Sequence, residues 1–297
     1  MNIIIHRGTH QIGGSAIEIS TASTRIILDF GNELSLDEKY TPINLDIDGV
    51  TKGMLDCDGI VISHYHMDHL GQLTSALPEI PLYMGELSKE VAMIATEHQD
   101  KDLYLRLLGA NTFRGGEAFT IGNIHIRPLV IDHSAVDSYM FVIEAEGKRV
   151  LYTGDFRMHG VRGHVLEKLI RTYIGNVDVL ITEGTSLSRN AHDGISEREV
   201  LDDISSYIQD GKYVFVICSS TNIDRIMGIW QNMPTDKVLI FDAYQKRILD
   251  TVVNNVYYES SLYRRHDSPL VLDKGKYPKY YMDNGFVCLV RATENHI

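Results

Sequence analysis

The sequence has few of the features that indicate disulfide bonds, association with a membrane or general attraction to a polyanion. Its three cysteines, Cys57, Cys218 and Cys288, are far apart and odd in number, so they form neither a disulfide framework nor a zinc-finger spacing. It has no long uninterrupted apolar run and no secretory signal, so we expect a soluble, cytoplasmic protein with no membrane partner.

Net positive charge is also absent. The formal net charge of -12 counts against a surface that attracts nucleic acid indiscriminately, because phosphate binding depends on local positive charge. A local basic groove, or positive charge from bound metal ions, stays compatible with this composition. The oligomeric state is left open, and a homodimer is one alternative.

The 297 residues, of which 44% are apolar, suffice for one large domain or two ordinary ones. Up to about residue 185 the pattern is two series of short β segments, each followed by helices, which predicts sheets packed face to face with helices outside. From about residue 190 strands and helices alternate, starting with a capping box at Ser196–Glu199, which predicts an α/β unit with parallel strands. We expect domains at 1–190 and 191–297.

The densest chemical pattern is SHYHMDHLG at residues 63–71, directly after the apolar run GIVI. Three histidines and one aspartate fall within six positions at the end of a buried strand, where desolvating them is costly. These ligand types suit zinc and similar divalent ions, and coordination would offset that cost. A lone histidine such as His98 has no comparable pattern and is interpreted as an ordinary surface residue.

Two further segments place a metal-capable side chain directly after an apolar strand. His133 follows an apolar strand in IDHS, and Asp155 follows the next strand in YTGD. Each lies at a strand end followed by a turn, like the histidine cluster. Taken alone, either residue could equally be a turn residue.

In this order and approximate spacing, the three motifs resemble the metallo-β-lactamase superfamily over about residues 1–185. The resemblance implies an αββα sandwich with two divalent metal ions, zinc in the first place and manganese as an alternative. It assigns one metal to His64, His66 and His133, the second to Asp68 and His69, and a bridging position to Asp155. Asp29, in RIILDFG, matches the motif whose aspartate supports the site from outside, although a turn carboxylate before Gly31 explains it as well.

The expected activity is hydrolysis, since two neighbouring cations can activate a water molecule and polarise a scissile group. The segments ITEGTSLSR and YVFVICSSTNIDRI resemble the β-CASP nucleases, including ribonuclease J and the messenger-RNA 3′-end processing endonucleases. This resemblance implies RNA as substrate, in preference to single-stranded DNA, and adds Glu183 to Asp68 as a catalytic residue. Hydrolysis of a small ester or thioester, and an inactive metal-binding module, are the alternatives.

The segment at residues 218–222, CSSTN, allows two interpretations. A strand that runs into hydroxyl residues at a helix start presents free N–H groups and a favourable dipole to a phosphate. Simple N-capping of the helix by Ser220 or Thr221 is the alternative.

The family also has another metal-binding histidine and a histidine proposed as proton donor, in later motifs that this sequence does not contain before Ile297. We therefore expect the chain to be an amino-terminal portion of a longer protein, or a degenerate relative, with a β-CASP-like domain that is only partly present.

Overall fold

The computed structural model describes residues 1–34, 43–187, 194–255, 270–271 and 279–291. The chain divides into two compact units, Met1–Met158 with Arg162–Asn190 and His159–Val161 with Ala191–Ile297. Among the helices in these ranges, none combines the length and the apolar character that crossing a membrane requires.

The first sheet of the first unit has six strands in their sequence order. The first three strands pair antiparallel, and the third to sixth pair parallel. The strands are β1 (Asn2–Arg7), β2 (Ala16–Ser20), β3 (Arg25–Leu28), β4 (Gly59–Ile62), β5 (Leu82–Gly85) and β6 (Asn111–Phe113).

The second sheet has five strands in the order β11-β10-β9-β8-β7. Its strands pair antiparallel except for the last two in sequence, which are parallel. They are β7 (Phe119–Ile121), β8 (Ile124–Ile131), β9 (Ser138–Ala145), β10 (Lys148–Tyr152) and β11 (Val179–Ile181). The turn between β9 and β10 is Glu146-Gly147, both at positive φ, as hairpin turns of two residues require.

The main core lies between the two sheets. Alternate side chains of both sheets form one buried cluster, which includes Leu28, Val61, Phe141 and Ile143. A second cluster packs the outward residues Met140 and Val142 against the helical segments that follow β10. The helices of this unit are α1 (Met67–Leu70), α2 (Glu86–Thr96), α3 (Lys101–Leu108) and α4 (Leu166–Leu169). This mixed α/β arrangement of two packed sheets confirms the predicted fold class.

The second unit has a four-stranded sheet in which every paired strand is parallel, in the order β12-β15-β13-β14. The predicted capping box is present, since Ser196 and Glu199 bond each other's backbone N–H at a helix start. The elements are α5 (Glu197–Asp210), β12 (Tyr213–Ile217), α6 (Ile223–Gln231), β13 (Val238–Phe241), α7 (Ala243–Asn254), β14 (Leu270–Val271), α8 (Lys279–Asn284) and β15 (Phe286–Val290).

Some elements differ from the sequence expectation. Residues 70–77 have helical spacing in the sequence, but the structure has α1 followed by a 3-10 turn at Leu73–Ser75. Residues 165–173 have the spacing of one helix, and the structure splits this region into 3-10, α and π segments between Gly163 and Ile174. Strands β5 and β6 and helix α3 were not predicted, because strands of three or four residues and a helix of eight are too short to show a clear period.

Asp137 connects the second sheet to helix α2. It has a positive φ of 61°, and its buried carboxylate accepts hydrogen bonds from the Ser88 N–H at 2.9 Å and from the Tyr139 hydroxyl. A carboxylate at a helix N-terminus satisfies free N–H groups of the first turn. Burial nevertheless raises the pKa of Asp137 to about 6, against the lowering effect of these hydrogen bonds.

The raised pKa predicts a loss of stability with rising pH. The folded chain binds the Asp137 proton more tightly than the unfolded chain does. The contribution of this proton to the free energy of unfolding is therefore complete below about pH 4 and is lost as pH rises through about 6. The shift corresponds to about 3 kcal/mol. The unfolding free energy of wild type minus that of Asp137→Asn should fall by about this amount between pH 4 and 7. Asp178→Asn, at an exposed carboxylate whose pKa is lowered, should show no such fall; a flat difference for Asp137→Asn would contradict the prediction.

Candidate metal centre

The predicted ligands come from strand ends of both sheets. His64 and His66 follow β4, His133 follows β8, and Asp155 follows β10. The Tyr139 N–H donates to the Ser63 carbonyl at 3.0 Å, which joins the two sheets beside the histidine motif. The sequence segments are therefore brought to one edge of the sandwich, although 91 residues separate His64 from Asp155 along the chain (155 − 64).

The first donor set consists of His64, His66 and His133. The Nδ1 atom of His66 lies 3.1 Å from Nε2 of His64 and 3.1 Å from Nε2 of His133, and the three nitrogens all lie within 4.8 Å of one another. A tetrahedral zinc ion with Zn–N bonds of about 2.0–2.1 Å places its ligand atoms roughly 3.3 Å apart. The nitrogen positions therefore fit a zinc ion with one coordination position open.

These three imidazoles are neutral at physiological pH. Burial lowers the pKa of His64 well below its usual value, that of His66 to about 4 and that of His133 to about 3, and the neighbouring imidazoles add to the effect. The neutral imidazole is the form that binds a metal ion. The protonation state of the three histidines thus favours a metal ion, as their spacing does.

The second donor set consists of Asp68, His69 and Asp155. The Nε2 atom of His69 lies 3.2 Å from Oδ1 of Asp155 and 3.6 Å from Oδ2 of Asp68. The other oxygen of Asp155, Oδ2, lies 4.0 Å from Nε2 of His133. One carboxylate thus faces both sets, as a bridging ligand would, and a bridging role for Asp155 stays a prediction. His64 also lies within reach of His69 and Asp155, so the two sets are contiguous.

Asp29 orients this centre through hydrogen bonds to residues next to the candidate ligands and to His69. Its fully buried carboxylate accepts hydrogen bonds from the Ser63 N–H at 2.6 Å, the Ser63 hydroxyl at 2.8 Å and the Tyr152 hydroxyl at 2.5 Å. It also lies 2.7 Å from Nδ1 of His69. A carboxylate at the far nitrogen fixes the ring and its tautomer, so Nε2 of His69 faces the other ligands. Burial opposes the protonation of His69, but Asp29 and Asp155 raise its pKa well above the usual value.

Two glycine-containing segments enclose the turn that carries Asp68 and His69. The N–H groups of Gly14 and Ser15 both donate to the Asp68 carbonyl at 3.1 Å. A Cβ atom at Gly31 would lie 1.6 Å from that same oxygen, so position 31 has no room for a side chain. The glycine-rich hairpin at residues 8–15 therefore lies beside the site.

The segment that carries Asp155 is held by Glu183. Gly154 has a φ of +54°, which turns the chain out of β10. The next N–H group, of Phe156, donates to Oε1 of Glu183 at 2.9 Å. A catalytic role for Glu183 stays a prediction; the observed contact gives it a part in holding the Asp155 segment.

A cleft of about 720 Å³ opens beside the second donor set. Asp68, His69, Asp155 and Glu183 line it, together with apolar and hydroxyl side chains of the hairpin at 8–15 and of residues 181–187. Arg7 also lines the cleft, but its guanidinium donates to the carbonyls of Gly14, Ile43 and Gly31. The cleft gives a substrate access to the candidate metal ligands.

Sequence reasoning did not identify Ser63, Tyr152, Asp132 or Arg157. Ser63 and Tyr152 were visible as polar residues directly before the motifs HYHMDH and TGD. Nothing in the spacing indicated that both donate to Asp29.

Comparison with known proteins agrees with the resemblance that the sequence motifs indicate. The family model described as "Beta-lactamase superfamily domain" matches residues 25–201. An "RNase J-like protein" of Methanocaldococcus jannaschii is 27% identical over 71% of this chain and 49% of its own length. "Ribonuclease J 2" of Streptococcus pyogenes is 26% identical over 76% of this chain and 42% of its own. "Endoribonuclease YSH1" of Gibberella zeae is 25% identical over 87% and 32%.

These curated relatives are thus matched over half of their length or less. Among solved structures, a protein of unknown function from Enterococcus faecalis has a TM-score of 0.76 at 18% identity, over 99% of this chain and 77% of its own. At this identity the likeness shows a shared fold.

We predict that metal content depends on the histidine cluster. His64→Ala removes one of the three convergent nitrogens and should lower the zinc content by about one ion per chain. His98, exposed just after the end of α2 with its Nε2 atom 3.9 Å from a carboxylate oxygen of Glu97, is the matched control, and His98→Ala should keep the wild-type content. Elemental analysis of both proteins decides the matter, and equal zinc content in the two would show that His64 is not a ligand.

We also predict that the two sets fill unequally. The first set offers three neutral nitrogens, a complete protein set for a catalytic zinc ion. The second offers one nitrogen and two carboxylates, one of them shared, at wider separations. At limiting zinc, anomalous scattering at the zinc edge should therefore show higher occupancy between His64, His66 and His133. A single ion beside Asp68 and His69, with the three-histidine position empty, would show that this allocation is wrong.

Proposed function

Because the chain belongs to the beta-lactamase superfamily, we propose that it is a metal-dependent phosphodiesterase that acts on RNA, with zinc as its first metal and manganese as the alternative. The observation that carries the proposal is a pair of adjoining donor groups, which are His64, His66 and His133, and His64, His69 and Asp155. Asp155 lies 3.2 Å from His69 and 4.0 Å from His133. The names of the three curated relatives, two of them ribonucleases and one an RNase J-like protein, support RNA as the substrate.

The chain's own residues would divide the work as follows. His64, His66 and His133 would hold one divalent ion, and Asp68, His69 and Asp155 the other. Bound ions would supply Lewis acidity and an activated water for hydrolysis. Asp29 would keep the proton of His69 on Nδ1 and its lone pair on Nε2. Asp68 and Glu183, both lining the cleft, are the carboxylates that could accept or return a proton there.

The second unit contains a feature that suits a phosphate. Ser220 is buried, with 5% of its surface exposed, and its hydroxyl has no hydrogen-bond partner among the described residues. It lies just before the N-terminus of α6. The predicted alternative, N-capping of α6 by Ser220 or Thr221, is wrong, because Asn222 occupies the cap position and makes no side-chain cap bond. Free N–H groups and the helix dipole would favour an anion there, which supports a polyanionic substrate.

The net charge of -12 limits how the protein could bind RNA. A chain of this charge gains little from non-specific phosphate attraction. Affinity would have to come from the cations of the metal centre and from local sites such as the start of α6. The metal centre would then contribute to substrate binding as well as to the chemistry.

The test compares three substrates with and without added Zn²⁺ or Mn²⁺: labelled RNA oligonucleotides, a generic aryl phosphodiester and a thioester. We expect metal-dependent cleavage of RNA and of the phosphodiester. His133→Ala should lower the rate by more than about 100-fold, since it removes a ligand of the metal, while His98→Ala should leave it unchanged.

The alternatives give different results in the same assay. Cleavage of the thioester with RNA left intact would identify a small-molecule hydrolase. Zinc binding without turnover of any substrate would identify a metal-binding module. Either outcome would overturn the proposed activity on RNA.

A further inference from the structure

A buried ion pair joins the two chain segments that carry His133 and Asp155. Asp132, with its side chain 1% exposed, accepts a hydrogen bond from Nε of Arg157 at 2.7 Å. The Asp132 carbonyl accepts from the Arg157 N–H at 2.9 Å, and its carboxylate also accepts from the Arg162 N–H. Asp132 directly precedes one candidate ligand, and Arg157 lies two residues after another.

The position of this pair matters because Asp155 lies beyond the regular part of its sheet. The last hydrogen bond between β10 and β11 in this direction is from Thr153 N–H to the Ile181 carbonyl. Gly154 then turns the chain at a positive φ. The Phe156 contact with Glu183 holds the segment from one side, and the contacts of Arg157 with Asp132 connect it to the strand end of His133.

Stability alone does not account for a buried ion pair. Desolvating a carboxylate and a guanidinium costs about as much as their attraction returns, and an apolar pair of the same size is often as stable. What the pair supplies is geometry, since the guanidinium nitrogens form a rigid planar fork. The geometry it fixes is the relation of His133 to Asp155, whose Nε2 and Oδ2 atoms lie 4.0 Å apart.

We propose that Asp132 and Arg157 are positioning residues for the metal centre, which hold the bridging carboxylate of Asp155 against His133 so that both donor sets bind a divalent ion. The inference rests on the metal centre of the proposed function, but not on its substrate. Neither residue is a ligand in this proposal; both act through the backbone next to a ligand.

Arg157→Met keeps most of the side-chain volume and removes the donors. Loss of a partner that orients a ligand typically weakens metal binding by 10–100-fold, and we expect a loss of about that size in zinc affinity, measured by competition with a chromophoric chelator. Arg157→Lys keeps the charge but not the fork, so it should recover part of the affinity. Full zinc affinity in Arg157→Met would overturn the proposal.

The matched control is another ion pair of the same unit. Arg25 binds Glu18 at 2.8 Å, with side chains 19% and 6% exposed, between β2 and β3. Arg25 lies four residues before Asp29 along its strand, about 13 Å away. Arg25→Met should lower the melting temperature and leave zinc affinity unchanged. If Arg25→Met weakens zinc binding as much as Arg157→Met does, the effect is general destabilisation and the proposal fails.

A metal-free measurement separates this inference from the proposed function. In crystals of metal-free Arg157→Met, the distance between Nε2 of His133 and Oδ2 of Asp155 should exceed its wild-type value, and in Arg25→Met it should not. An unchanged distance in Arg157→Met would overturn the positioning role. Failure of the wild-type chain to bind zinc would instead overturn the metal centre itself, whereas zinc binding without RNA cleavage would overturn only the proposed activity.

Discussion

The carboxylate of Asp29 is a fully buried charge that receives hydrogen bonds from elements of both sheets. An unpaired carboxylate in such a place would be very costly. Ser63 supplies two donors from the end of β4, Tyr152 supplies one from the end of β10, and His69 supplies another. These contacts fix the separation of the sheets where the ligands emerge, so the rest of the centre depends on them. Asp29 also has a φ of 54°, a conformation that a non-glycine residue rarely adopts without compensation.

Around Asp29 the candidate ligands are held by their backbones as much as by their side chains. The Asp68–His69 turn is fixed by N–H donors from Gly14, Ser15 and Phe30. The segment that follows Asp155 is bonded to Glu183 through the Phe156 N–H and to Asp132 through Arg157. Preorganisation of this kind lowers the cost of bringing the ligands together when an ion binds. It also explains why imidazoles with strongly lowered pKa values can lie so close together.

Much of this could be predicted from the sequence, for identifiable reasons. The HYHMDH cluster and the residues His133 and Asp155 were visible because metal-binding side chains recur directly after apolar strands. The α/β alternation after residue 190 was visible because its helices are long enough to show a period and the first of them begins with a capping box. Strands β5 and β6 were missed because they are three or four residues long, and packing decides their conformation. The partners Asp132 and Arg157 were missed because their pairing depends on a contact across 25 residues.

The closeness of Gly31 to the Asp68 carbonyl has a consequence for how such sites can vary. A metal ligand can be exchanged for another ligand type and still leave a site of altered preference. At position 31 no exchange is available, because even a methyl group would overlap a backbone oxygen that cannot move without displacing Asp68 and His69. In any related chain that keeps this turn, the residue at position 31 is therefore limited by space and not by reactivity.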